Sequence, residues 1–247
     1  MTLLYSLWFN LTFYAANLMC VVLMGLLLFP RKTIVCGVQI WLGTVAWVES
    51  HLGGIRYTVI GREYVPKGAC IIAAKHQSEW ETFKLHLLLD DPAIVLKREL
   101  LNIPLIGWWM SRSGSIPIDR GARVKSLSDM TRAARKAADE GRPIVIFPEG
   151  TRVAVGESRP YKSGVAALYM DLNLPVVPMA LNSGLLWPKN SFFKKPGTIT
   201  VEFLPPIPPG LPREEMMQKL RDTLEPAAVR LLKVGTKIHA AKEGDQS

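Results

Sequence analysis

The spacing of apolar positions divides the chain into three parts. From Thr2 to Phe29 no side chain carries a charge. As one helix these 28 residues reach roughly 42 Å, more than the roughly 20 residues that cross a bilayer require. A signal peptide would have a basic start and a shorter apolar core, and this segment has neither. The run ends at Pro30-Arg31-Lys32, and the two cations favour a cytoplasmic position for the residues beyond them. A second uncharged stretch, Thr33 to Val48, is short for a span, and Trp41 and Trp47 suit an interface. Two arrangements stay open: one span followed by an interfacial helix, or a two-helix hairpin dipping into one leaflet. Asn10 and Asn17, seven apart, share a helical face and could turn toward the second helix rather than lipid.

From about residue 50 short β-rich runs alternate with helical ones. Strands are expected at Tyr57 to Ile60, Cys70 to Ala74, Ala93 to Leu96, Ile144 to Phe147, Val176 to Leu181 and Thr198 to Phe203. Ile116-Pro117-Ile118 reads as an edge strand, because proline cannot donate to a central ladder. Pro175 and Pro178 around Val176-Val177 point to a rigid edge as well. Helices are expected over Glu79 to Leu89, Ile103 to Met110, Val124 to Glu140 and Gly164 to Leu172. A proline cluster, 205–209, leads to a C-terminal helix starting near Pro212, with a disordered tail from Lys242. The fold class is therefore α/β, a mixed sheet covered by helices behind an apolar helical membrane motif. Three units are expected: anchoring helices over 1–49, the α/β domain over 50–210, and a C-terminal helix and tail over 211–247.

Composition sharpens this picture. Basic residues exceed acidic ones by nine, and the mean hydropathy is +0.16. No run of more than two consecutive cations occurs and there is no zinc-finger or RNA-recognition signature, so nucleic acid is not an expected partner. An anionic membrane and phosphate-bearing substrates fit the charge better. Cys20, Cys36 and Cys70 show no paired spacing, which argues against a disulfide framework or a zinc site. His51, His76, His86 and His239 have no metal-ligand pattern either.

Four blocks carry candidate chemistry. Lys75-His76-Gln77-Ser78-Glu79-Trp80-Glu81 follows a buried strand at once. A histidine there can face a cleft, and Glu81, in the first helical turn, can reach back to fix its tautomer. Ser78-x-x-Glu81 is also a helix capping box, and both roles can hold together. In Gly114 to Arg120 a glycine turn leads through a short strand to Arg120, a phosphate fork or one half of an ordinary ion pair. Phe147-Pro148-Glu149-Gly150-Thr151-Arg152 follows the strongest strand. Gly150 would allow close backbone approach and Arg152 a phosphate contact, unless Glu149 and Arg152 simply pair with each other. The fourth block, Leu174 to Pro178, reads best as architecture, though it could line an acyl pocket. The loop Leu185 to Lys195 mixes aromatics and lysines, as an interfacial anchor or as a solvated loop.

These blocks, in this order behind an apolar N-terminus, closely resemble the PlsC-type 1-acylglycerol-3-phosphate acyltransferases of the glycerolipid acyltransferase family. The resemblance covers roughly residues 50 to 210, and the Phe147-to-Arg152 block is its most specific part. It implies the glycerolipid acyltransferase αβ fold and transfer of an acyl group from acyl-CoA or acyl-carrier protein to lysophosphatidic acid, giving phosphatidic acid. It implies His76 as base and Arg120, Glu149 and Arg152, with Gly150 and Thr151, as acceptor-binding residues. Lys97 matches a further basic position near the phosphate. No cofactor is implied, and the location it suggests is a bacterial inner membrane with the catalytic domain on the cytoplasmic side. One departure stands out: the first motif of the family usually ends in aspartate, where this chain has Glu81. Another lysophospholipid or lyso-aminolipid acceptor, a membrane thioesterase and a lipid-binding protein remain alternatives. No Gly-x-Ser-x-Gly elbow is present for a serine hydrolase.

Overall fold

The computed structural model describes residues 2–25, 30–104, 106–119 and 123–244. Two helices, α1 (Thr2–Gly25) and α2 (Arg31–His51), precede the first strand. Then come β1 (Ile55–Ile60), β2 (Ile71–Ala74), α3 (Trp80–Leu88), β3 (Ala93–Lys97), α4 (Ile106–Arg112) and β4 (Ile116–Ile118). The chain continues through α5 (Arg123–Asp139), β5 (Ile144–Ile146), α6 (Ser163–Leu172), β6 (Val176–Leu181), β7 (Gly197–Phe203) and α7 (Arg213–Gly244). The strands form one seven-stranded sheet in the order β1-β7-β6-β2-β5-β3-β4. All neighbours are parallel except β6 and β7.

Two cores flank the sheet because strand side chains alternate between its faces. Ile72 and Ala74 of β2 join Phe9, Trp41, Trp80 and Leu85 from α1, α2 and α3. Ile71 and Ala73 join Met130, Leu168, Leu220 and Leu224 from α5, α6 and α7. β2 is thus buried on both faces, which is why it reads as an unbroken apolar run. The mixed, helix-covered α/β fold is as the apolar pattern predicts.

Three local expectations are corrected. β6 lies inside the sheet, between β7 and β2, rather than at an edge. Pro178 is tolerated there because its carbonyl accepts from Leu204 N–H at 2.9 Å while the donating half of that pair is not needed; the β6–β7 ladder begins one residue on, at Met179 and Phe203. The helix expected from Ile103 begins at Ile106, after a 3-10 turn over Arg98–Asn102. α7 continues to Gly244, past the expected start of a tail at Lys242.

α2 is longer than its uncharged stretch. Its buried face, Ile34, Val38, Trp41, Leu42 and Val45, includes Glu49, which pairs with Lys84 of α3 at 2.5 Å. Among the described residues, α2 is the one helix long and apolar enough, by length and composition, to cross a membrane. On α1, Phe9 and Phe13 pack edge-on against Trp187, 5.4 and 5.0 Å between centroids. Leu4, Leu7, Trp8, Leu11 and Leu18 face outward. Asn10 turns to the 185–195 loop, its amide donating to Phe192 O at 2.9 Å, not to α2. The Asn17 side chain lies outside the described ones.

β3 pairs with β5 only at Ala93 and Ile94, then with β4 from Val95 to Lys97. The sheet opens at that fork, and the candidate site occupies the opening.

Candidate active site

His76 stands two residues past the end of β2, where the connection from β5 holds its main chain on both sides. Its N–H donates to Glu149 Oε2 at 3.2 Å, and its carbonyl accepts from Val153 N–H at 2.7 Å. The ring lies flat on Phe147, 4.0 Å between centroids and 19° between planes. Nδ1 is 2.9 Å from Glu81 Oε1.

Glu81 is wholly buried, and its oxygens are fully engaged. Oε1 also accepts the N–H groups of Gln77 and Ser78, each at 2.7 Å, while Oε2 accepts the Ser183 hydroxyl at 2.8 Å. Ser78 Oγ in turn accepts Trp80 N–H at 3.0 Å. The N-cap of α3 is Glu79 rather than the expected Ser78, but Glu81 still bonds back to Ser78 N–H, so the helix start and the carboxylate–histidine pair are one structure. Since every group around Glu81 donates to it, Nδ1 carries a hydrogen, and in the neutral ring Nε2 is the nitrogen with the lone pair. The extra methylene relative to aspartate lets one carboxylate span the helix cap, the imidazole and β6's end together.

Glu149 and Arg152 do not pair with each other. Glu149 is buried against Lys75 Nζ, and Arg152 is bonded to Glu79. Burial pushes the Glu149 carboxyl up, opposed by Lys75 and by the His76 N–H. Gly150 has φ of +67°, the left-handed region, and a Cβ there would come 3.3 Å from Lys162 Cγ. Cys70 and Ser78, two side chains that could attack a carbonyl themselves, are poorly placed to do so. Burial pushes the Cys70 thiol up to about 12, and Ser78 Oγ is engaged by Trp80 N–H.

A cavity of about 880 Å³ fills the fork between β3 and β5. His76, Lys97, Glu149, Gly150 and Thr151 line it together. Glu81 lies behind His76, and Arg152 turns away toward Glu79. Arg120 falls outside the described residues; its neighbour Asp119 lines the cavity. Lys97 is exposed and 3.0 Å from Glu99. Two further cations, Arg159 and Lys162, line the same space, beside the start of α6 at Ser163 and Gly164. Sequence reasoning passed over them, although two basic residues just before a helical run mark an anion-binding helix start. Ser183 had no local signal, since it meets Glu81 across 102 positions of sequence. Much of the remaining wall is apolar, with Ile94, Leu96, Trp109, Ile118, Leu127 and Phe147, and Thr82, His86, Ser115 and Ser126 add polar groups to it.

A basic nitrogen backed by a buried carboxylate, cations beside it and an apolar recess together suit proton removal from a hydroxyl on an anionic lipid. Comparison with known proteins agrees in kind. A family model described as acyltransferase matches residues 56–182, just over half of the chain. The chain belongs to the acyltransferase family. It is 41% identical to the 1-acyl-sn-glycerol-3-phosphate acyltransferase of Pseudomonas aeruginosa over 164 residues, covering 66% of this chain and 64% of that one. It is 34% identical to the protein of the same name from Limnanthes alba, over 67% of this chain and 58% of that one. The chain thus spans about three fifths of the length of the curated relatives it matches. The crystal structure of the 1-acyl-sn-glycerophosphate (LPA) acyltransferase PlsC from Thermotoga maritima superposes with a TM-score of 0.69 at 22% identity, covering 90% of this chain and 93% of that one. That likeness establishes the shared fold. His76 to Glu81 and Glu149 to Arg152 lie inside the matched residues; α7 and the two N-terminal helices lie outside them.

Proposed function

We propose that the protein transfers a fatty-acyl group from an acyl thioester, acyl-CoA or acyl-carrier protein, to the sn-2 hydroxyl of 1-acylglycerol-3-phosphate, giving phosphatidic acid. The observation that carries this reading is the His76–Glu81 pair opening onto a cation-lined cavity. The names of the relatives support the choice of acceptor.

The acceptor oxygen attacks the thioester carbonyl while Nε2 of His76 takes its proton. The tetrahedral intermediate collapses with cleavage of the carbon–sulfur bond, and the departing thiolate takes the proton back from His76. Glu81 holds the ring and offsets the imidazolium that forms in between. A thioester is already activated, so the step needs no covalent acyl-enzyme, metal or cofactor. Lys97, Arg159 and Lys162 hold phosphate oxygens, with Arg120 and Arg152 as further contacts once Arg152 leaves Glu79. Gly150 and Thr151 shape the wall beside the reacting centre. Glu149 acts through the His76 main chain instead of touching substrate. Such positioning supplies a large share of the rate in two-substrate reactions.

The same reading places the protein on an anionic membrane, with α1 and α2 as its anchor and the catalytic domain on the cytoplasmic side of a bacterial inner membrane. The outward apolar residues of α1, with Ile40, Trp47, Phe192 and Phe193, support contact with a membrane. The deciding assay supplies labelled acyl-CoA to purified protein in nanodiscs with a panel of lysolipid acceptors and a water control. Phosphatidic acid formed from lysophosphatidic acid is the expected product. Transfer to a different lysolipid would replace the acceptor, and free fatty acid with every acceptor would make the protein a thioesterase.

A further inference from the structure

α7 lies outside the residues matched to the family, yet it reaches the site at two points. Glu225 accepts from Lys75 Nζ through both oxygens, at 2.9 and 3.2 Å, and its Oε1 also accepts the Tyr161 hydroxyl at 2.6 Å. Lys75 is buried and pairs as well with Glu149, whose other oxygen accepts the His76 N–H. Further along the helix, Leu231 O accepts from Asn182 Nδ2 at 3.3 Å, and the next residue, Ser183, is the donor to Glu81 Oε2. Gly235 keeps the helix close, since a Cβ there would come 2.7 Å from Leu185 Cδ1.

The charges balance only as a set. Lys75, with three N–H donors, serves two carboxylates, and the Arg221 guanidinium lies over the Tyr161 ring at 5.5 Å. Burial, and then Glu225, push the Tyr161 hydroxyl up, so it stays a donor. A buried ion pair adds little net stability compared with apolar packing, so stability alone does not account for three charged side chains here. The set does fix the main chain that leads into the imidazole, through the Lys75 side chain and the bond from His76 N–H to Glu149.

We propose that Glu225 and Tyr161 are positioning residues for acyl transfer: through Lys75 and Glu149 they hold the His76 main chain and so the direction in which Nε2 meets the acceptor hydroxyl. The proposal rests on the reading of His76 as the base. Small displacements of such a group can cost about 10²-fold in rate.

The test uses Glu225→Gln, which keeps volume and an acceptor but removes the charge, with Tyr161→Phe as a milder second variant and Glu225→Asp as the rescue. In the full-length protein, kcat, both KM values, the thermal midpoint and hydrogen exchange of the His76 amide are measured. Glu225→Gln is expected to lower kcat about 10-fold and Tyr161→Phe about 3-fold, with both KM values within about two-fold and faster His76 amide exchange. Glu225→Asp is expected to recover part of the rate. A lowered thermal midpoint with unchanged kcat would overturn the proposal, leaving helix docking alone. So would a raised KM at constant kcat, or a lowered kcat with unaltered amide exchange. A wild-type protein without acyl transfer would remove the underlying reading, and amide exchange would still decide whether Glu225 holds the His76 main chain.

Discussion

The turn from β2 into α3 and the connection from β5 into α6 meet at His76, but they are built differently. In the first, Ser78 and Glu81 are wholly buried, and Glu81 accepts four hydrogen bonds. In the second, Arg159 and Lys162 are exposed, and Gly150 needs a left-handed backbone. One side fixes the His76 imidazole, the base of the proposed reaction, before any substrate arrives. The other offers charge and space that only a ligand fills. Preorganisation and binding are thus carried by separate segments, and substitutions on each should leave different kinetic signatures.

Glu81→Gln strikes the fixed side hardest. An amide cannot accept from all four donors or hold the Nδ1 hydrogen as a carboxylate does, so kcat should fall about 10³-fold with little change in KM. Glu81→Asp, the residue usual in the resembling family, should lose less, about 10-fold, because it cannot reach both the helix cap and the ring. Steady-state assays of the two variants order these effects, and equal losses would contradict the assigned geometry.

The fixed side also contains a buried imidazole with a stability signature. Burial pushes His86 down from 6.5 to about 4, with Asp91 opposing and Arg142 reinforcing the shift. The unfolded chain therefore takes up a proton that the folded chain resists. This contribution to stability is complete above about pH 6.5 and is lost as pH falls toward 4, by about 3 kcal/mol at most. Urea midpoints at about pH 7 and about pH 4.5 should differ less in His86→Leu than in the wild type; an equal difference would refute the assignment.

Effects on the open side should be smaller and appear in binding. Lys162→Ala should raise KM for a phosphate-bearing substrate about 10-fold and leave kcat within about two-fold, with a weaker dependence on salt. Gly150→Ala should cost about 1 kcal/mol of stability through its φ, which thermal unfolding measures.

The two sides also differ in how well sequence exposes them. β2 and β5 stand out as apolar runs because both faces are buried, and the residues after them announce the site. The pairing of His76 with Glu81 follows from a five-residue spacing within one turn. Arg152's partner does not, because Glu79 competes for it from another segment. Ser183, Lys75 and Glu225 are invisible as site residues for the same reason: their contacts cross 102, 74 and 150 positions and depend on how β5, β6 and α7 pack. β6 reads as an edge strand because its prolines suggest a missing donor, and only the end of the β7 ladder shows that this donor is not required.

The most direct measurement compares wild type with folded His76→Ala in acyl transfer from labelled acyl-CoA to lysophosphatidic acid. A base held by Glu81 predicts phosphatidic acid from the wild type and a loss of at least about 10³-fold in the variant. Wild-type rates from a folded His76→Ala protein would contradict the assignment of His76 as the base.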